Sequence, residues 1–386
     1  MPPVYLDHNA TTPLDPKVRA AMLPWLAETF GNPSSVHSFG QAAREAVEGA
    51  RQSVAALLGA LPAEIVFTSS GTESNNAVLS DVARRAGDRG HLVVSILEHA
   101  SLRESAARLG QRGFEITWVK PREDGRVAVE DMLAALRSDT RLAILMLAQN
   151  EVGTLQPVAQ VAAACRERGV PVLCDAAQAV GKVRVDVGEL GVDFLTLGAH
   201  KFYGPLGAGA LWIRRGIPFE GLLLGGGQER RRRSSTENVP AIVGLGVACE
   251  VAREELAPRA AHLAAVRDRF ESHLRNRPEV RLHCTQSPRL PHVSHVAVVG
   301  VEAQDLLIRL DLKGYAVSTG SACSSGAVEP SKVLLAMGYD AEEARSSLRV
   351  SFGVSNTLEQ ADQFAAVLLE EAAALRQAAA SPLLFA

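Results

Sequence analysis

Apolar residues at 47, 50, 54 and 57 fall on one face of a helical wheel, and Gly59 follows them as a stop, so the pattern predicts an amphipathic helix over 41–58. A short apolar strand is predicted at 65–68. It runs into Ser69-Ser70-Gly71-Thr72-Glu73, where Ser70 and Glu73 have the spacing of a capping box that opens a helix. Further apolar runs at 91–96, 116–119, 142–147, 170–174 and 194–197 read as buried strands. Helical patterns such as 129–136 and 158–168 lie between them, and 208–213 reads as one more strand. Alternation of this kind predicts an α/β body with a largely parallel sheet.

After residue 250 the order changes. The stretch 250–274 is charge-mixed and helical, while 239–252 reads as a buried helix too short to span a bilayer. Strands at 280–283, 295–299 and 348–351 then mix with helices at 303–310 and 358–375, the pattern of a smaller α+β body. The expected division is 15–255 for the large body, and 1–14 with 256–386 for the small one. At 386 residues the chain is long enough for two such cores.

Composition narrows the function class. With 47% hydrophobic and 22% charged residues, a largely disordered chain is excluded. The net charge of −3 disfavours a dedicated nucleic-acid or membrane binder. The N-terminus carries no basic stretch followed by an apolar one, which predicts no signal peptide. The five cysteines, Cys165, Cys174, Cys249, Cys284 and Cys323, are odd in number and contain no C-x-x-C pair. Neither a disulfide framework nor a zinc site is expected, and a reducing cytoplasm is.

Several residues could carry chemistry. Lys201, in Gly198-Ala199-His200-Lys201, follows a buried strand in a turn, where an amine could attack a carbonyl to form a Schiff base or could simply be a solvated ammonium. Asp175 ends another strand 26 residues earlier. It could pair with a pyridinium nitrogen or cap a helix, and adjacent parallel strands would set it and Lys201 on opposite sides of a flat ring. The Ser-Gly-Thr turn at 70–72 could cradle a phosphate or only cap its helix. His99 could stack on a planar group and exchange protons, or be an ordinary core or surface histidine. Asn150 could bond a ring oxygen or a substrate, or make a turn. Cys323 sits in a small-residue loop, unlike the other four cysteines, and could serve as a nucleophile or be incidental. Arg349 interrupts an apolar strand and could grip a carboxylate or form a structural ion pair.

Taken together, these elements resemble the cysteine desulfurases, within the class V aminotransferase superfamily of pyridoxal-phosphate enzymes. The resemblance extends over nearly the whole chain. It is carried by Tyr5-Leu6-Asp7-His8-Asn9-Ala10-Thr11-Thr12, Gly31-Asn32-Pro33-Ser34-Ser35, the Ser-Gly-Thr-Glu-Ser turn, Asn150-Glu151-Val152-Gly153, Asp175-x-x-Gln178, His200-Lys201, Ser235-Thr236-Glu237-Asn238-Val239-Pro240 and Gly320-Ser321-Ala322-Cys323. His200-Lys201 with the Ser-Ala-Cys loop is the specific part.

The resemblance implies the fold-type-I architecture of pyridoxal-phosphate transferases, with a mainly parallel seven-stranded sheet and a smaller α+β domain. It implies pyridoxal 5'-phosphate as cofactor, joined to Lys201, with Asp175 on the ring nitrogen, Gln178 on the ring hydroxyl oxygen and His99 over the ring as a proton shuttle. Gly71, Thr72 and His200 would hold the phosphate, joined by Thr236 from the second subunit of a homodimer. Asn150 and Arg349 would hold the substrate carboxylate. L-cysteine would become L-alanine while its sulfur passes to Cys323 as a persulfide, bound for an iron–sulfur scaffold or another acceptor protein. No resident metal, membrane contact or direct nucleic-acid contact is implied, although Cys323 could transiently ligate a cluster iron.

Two positions depart from the pattern. Gly198 stands where the family usually has a hydroxyl residue, three before the lysine. The run Arg230-Arg231-Arg232-Arg233 is unusually basic, and a solvated loop at a dimer edge is its expected reading, with a docking patch for an acidic partner or RNA as the alternative. Other readings of the whole are an aminotransferase or selenocysteine lyase of the same fold, or a non-catalytic assembly protein. An aminotransferase has no need of Cys323, and an assembly protein has none of Lys201.

Overall fold

A computed structural model describes residues 3–320 and 330–380 of the 386. Its centre is a seven-stranded sheet in the order Ile65–Thr68, Gly209–Ile213, Phe194–Gly198, Val172–Asp175, Thr140–Ile144, Gly90–Ser95, Phe114–Val119. Gly209–Ile213 runs antiparallel to both neighbours, and all other pairs are parallel. The buried runs of the sequence are these strands, apolar on both faces because helices cover both. On one face Phe67, Val93, Leu195 and Leu197 pack with Val47 and Val54 of helix Ser38–Leu58, Val161 of Val158–Glu167 and Leu245. On the other, Val66, Leu92, Val94 and Phe194 pack with Val78 and Val82 of helix Gly71–Arg85 and Leu102 of helix Ala100–Gln111. Alternate residues of one strand thus serve two cores, as the two-residue repeat of a strand requires.

A second, antiparallel sheet follows the order Ser318–Thr319, Ser347–Ser351, Val293–Val298, Val280–Leu282. Its Val296, Val298, Leu348 and Val350 face a separate core with Phe270 and Phe364. The strand Val4–Tyr5 joins this region by pairing in parallel with Tyr315–Ala316.

The two helical patterns expected around residue 250 are one continuous helix, Val239–Leu274, of 36 residues. Its first half is buried in the large core at Ile242, Leu245 and Cys249, and its second half in the small core at Leu263, Val266 and Phe270. Pro258 lies inside it. A proline there costs the helix about 3 kcal/mol in isolation, a loss that anchorage at both ends offsets. Among the described residues, no helix is long and apolar enough to cross a membrane.

Candidate active site

Strands Val172–Asp175 and Phe194–Gly198 are adjacent and parallel, with Asp175 opposite Thr196. Asp175 therefore ends one strand beside the short 3-10 turn Ala199–Lys201 that ends the other. Ligand sites of open parallel sheets form at such carboxyl ends. Asp175 is buried, and its carboxylate accepts from Asn75 Nδ2 at 2.8 Å and from the Ala177 amide at 2.9 Å.

The lysine turn is braced by the N-terminal segment. Lys201 Nζ donates to the carbonyls of Asn9 at 2.6 Å and Ala10 at 2.8 Å. His200 Nδ1 lies 3.1 Å from Thr11 Oγ1, and the Thr12 hydroxyl donates to the His200 carbonyl at 3.0 Å while accepting from the Tyr203 amide at 2.6 Å. Sequence reasoning found the 5–12 motif but gave it no work; it is the clamp that orients the lysine. Burial, followed by the charges of Lys201 and Lys182, pulls the His200 imidazole down to about 4.

Gln178 is buried, with Nε2 donating to the Asn9 carbonyl at 3.0 Å. His99 precedes helix Ala100–Gln111, and its Nδ1 accepts from the Ser101 amide at 3.2 Å, which leaves the proton of the neutral ring on Nε2. The ring opens to the cleft, yet desolvation there lowers its pKa, with the Asp175 charge opposing and Lys201 adding to the fall. Glu98 beside it was not singled out from sequence. Its carboxyl is pushed well above the usual range by burial and then by Asp175, and its Oε1 accepts from the Met146 amide at 2.6 Å.

Gly71 and Thr72 open helix Gly71–Arg85, with Ser70 Oγ accepting from the Glu73 amide at 3.1 Å. Free N–H groups at that terminus suit an anion. A Cβ built on Gly198 would lie 3.7 Å from the Gly71 nitrogen and 3.7 Å from the His200 ring, so strand end and helix start face one space.

On the opposite wall, Arg349 is buried in Ser347–Ser351. It donates to Asp7 Oδ1 at 2.6 Å and to the Asn150 carbonyl at 3.0 Å, while its Nε is buried without a partner. The Asn150 carbonyl also accepts from Asn9 Nδ2 at 3.0 Å, which leaves the side-chain amide of Asn150 to meet a ligand. Thr236 is exposed, and its carbonyl accepts from the Ser235 hydroxyl at 3.5 Å. Cys323 lies outside the described residues.

Within the arginine run, Arg230 and Arg231 are exposed, as a solvated loop would have them, while Arg232 and Arg233 are half-buried. Arg233 forks onto Glu73 at 2.8 and 3.3 Å, Arg232 donates to the Ala63 carbonyl at 2.5 Å, and Arg230 reaches the Pro62 carbonyl at 3.4 Å. Before them, Glu229 is buried in a double hydrogen bond with Arg51 at 2.7 and 2.8 Å. Glu73 belongs to the Ser-Gly-Thr-Glu-Ser turn, so Arg233 at the end of the run fastens the helix start.

Residues 4–364 match the family model described as aminotransferase class-V. The cysteine desulfurase IscS of Dictyoglomus turgidum is 44% identical over 358 residues, covering 92% of this chain and 91% of that protein. A solved NifS-like protein superposes with a TM-score of 0.91 at 36% identity, covering 97% of this chain and all of that one. A structure described as SspA in complex with cysteine gives a TM-score of 0.81 at 32% identity, covering 92% of this chain and 99% of the other.

Proposed function

The chain belongs to the aminotransferase class-V family and is a cysteine desulfurase, and from that premise we propose how its own residues carry the reaction. The observation that supports the proposal most directly is the pairing of Asp175 and Lys201 at the ends of adjacent parallel strands, beside a helix N-terminus and opposite a buried arginine with one N–H uncommitted. These residues fit pyridoxal 5'-phosphate: a buried carboxylate for a ring nitrogen, an amine for an aldehyde, and N–H groups for a phosphate.

When bound, the cofactor supplies an electron sink that lets the substrate lose its α-proton and then its sulfur. Lys201 is the amine that binds the aldehyde, and the Asn9 and Ala10 carbonyls aim it. Asp175 holds the proton on the ring nitrogen, Gln178 bonds the ring hydroxyl oxygen, and Gly71, Thr72 and His200 hold the phosphate. His99, its pKa lowered by burial, would stack on the ring and move protons through Nε2. Arg349 and Asn150 hold the carboxylate of L-cysteine, with Arg349 Nε the donor still available. The Cys323 thiolate attacks the substrate sulfur. A sulfur–sulfur bond forms as the carbon–sulfur bond breaks, the carbon skeleton takes up a proton and leaves as L-alanine, and Cys323 becomes a persulfide that passes to an acceptor protein.

Thr236 reaches the phosphate of a second subunit in this reading, which its exposure supports. The division into a cofactor-binding body, 15–255, and a smaller body, 1–14 with 256–386, belongs to the same proposal and is supported by two sheets with separate cores. So does a cytoplasmic setting, supported by the reduced-thiol composition.

The test is Cys323→Ser. It should abolish sulfide release from L-cysteine and leave the cofactor's visible colour intact. Full sulfide release by that variant would remove the persulfide step, and a wild-type protein that takes up no pyridoxal phosphate would remove the assignment of the site.

A further inference from the structure

Lys182 is 4% exposed, an unusual place for an amine. Its Nζ donates to Gln178 Oε1, four residues earlier, at 3.2 Å. The charged and titratable groups within electrostatic reach are Lys201, Arg349, His8, His200 and His292, every one of them basic. Among the described residues no carboxylate is seen to compensate it, and burial followed by the charges of Lys201 and Arg349 drives the amine well below its usual range. A methionine would fill the same volume without an amine to desolvate. Among the described residues its polar contact is the Gln178 side-chain oxygen.

That contact completes a frame around the Gln178 amide. Nε2 donates one hydrogen to the Asn9 carbonyl, the same oxygen that receives Lys201 at 2.6 Å. Asn9 is itself fixed on every side: its amide N–H donates to Ser351 Oγ at 3.0 Å, its Nδ2 to the Asn150 carbonyl at 3.0 Å, and its Oδ1 meets His292 Nε2 at 2.6 Å. With Asn9 holding the nitrogen end and Lys182 the oxygen end, the second Nε2 hydrogen has a set direction.

We propose that Lys182 is a positioning residue, anchoring the Gln178 carbonyl so that the uncommitted Nε2 hydrogen is presented to the ring oxygen of the cofactor. The inference rests on the proposed role of Gln178. A hydrogen bond donated to that oxygen favours its anionic form, so loss of the anchor raises the pH at which the bound cofactor's visible absorption changes.

The experiment compares wild type, Lys182→Met, Gln178→Leu and the double variant as full-length proteins. Thermal melting comes first: Lys182→Met keeps or gains melting temperature, which separates positioning from folding. Pyridoxal phosphate titration is then followed by protein fluorescence, and the visible band by pH. Lys182→Met is expected to weaken pyridoxal phosphate binding about tenfold, the worth of one well-placed hydrogen bond, and to raise the absorption midpoint by about one pH unit. In the Gln178→Leu background the same substitution is expected to change neither. A Lys182→Met protein with wild-type midpoint and affinity overturns the inference and leaves the site assignment standing, as do equal shifts in the two backgrounds. A wild-type protein with no visible band overturns the site assignment and this inference with it.

Discussion

Asn75 donates to Asp175 Oδ2 at 2.8 Å while its own carbonyl oxygen accepts from the Thr196 hydroxyl at 2.9 Å. A third contact, Nδ2 to Ser101 Oγ at 3.0 Å, ties the helix that begins at Gly71 to the helix that follows His99. The amide cannot turn over without setting its oxygen against the Asp175 carboxylate and losing the acceptor that the Thr196 hydroxyl uses. Asn75 is therefore the fixed donor that aims the Asp175 carboxylate.

Asn75→Leu removes that donor, and a lost bond to a buried charged group costs about 1.5–3 kcal/mol. The expected result is weaker pyridoxal phosphate binding and alanine formation lowered by one to two orders of magnitude. Asn75→Asp should be worse, because it replaces the donor with a second carboxylate whose like charge faces Asp175. Alanine production and cofactor titration on both variants provide the check. Equal activity in the two would mean that Asn75 only fills space.

Glu151 carries a pH dependence of stability. It is buried, its Oε2 accepts from Ser331 Oγ at 2.6 Å, and burial pushes its carboxyl up to about 7, against the smaller opposing effects of Ser331 and Arg349. The folded pKa lies above the unfolded value near 4.5, so the folded state binds the extra proton between those limits. Stability from this group is complete below about 4.5 and is lost as pH rises through about 7, an effect of about 3 kcal/mol. Glu151→Gln keeps the shape and removes the titration. Its melting temperature should exceed that of wild type by several degrees at pH 8.5 and match it at pH 5. A difference constant across pH would show that the carboxyl titrates normally.

Much of this was legible before the structure. The strand and helix periods locate the large sheet because strands covered on both faces are apolar throughout, and the strand end carrying Asp175 is recognisable by its charge. Asn75 was missed although its signal is present: it lies one helical turn before Val78 and Leu79, so a polar side chain occupies the buried face of an amphipathic helix. The clamp by Asn9, Ala10 and Thr12 was beyond reach because it works mainly through backbone carbonyls and local turns, which no side-chain pattern encodes. The arginine run was legible only in part. Charge composition predicts solvation, which Arg230 and Arg231 show, whereas the ion pair of half-buried Arg233 with Glu73 joins segments 160 residues apart.

Gly198 is the position where a change should improve the site. Its backbone is extended, with φ −131° and ψ 126°, so an L side chain fits there without strain. The built Cβ meets the Gly71 nitrogen and the His200 ring at 3.7 Å, ordinary contact distance, and points to the N-terminal end of the helix that begins at Gly71. A serine would add a hydroxyl donor where the phosphate is proposed to sit, and would remove the entropy cost of a strand glycine, about 0.5–1 kcal/mol. Gly198→Ser is expected to bind pyridoxal phosphate about five- to tenfold tighter, the gain from one added hydrogen bond to an anion, with an unchanged or higher melting temperature. Gly198→Ala supplies the methylene without the hydroxyl, so it should share the thermal gain and keep wild-type affinity. Equilibrium dialysis of the three proteins measures the difference. Serine and alanine variants of equal affinity would place the phosphate elsewhere than between Gly198 and Gly71.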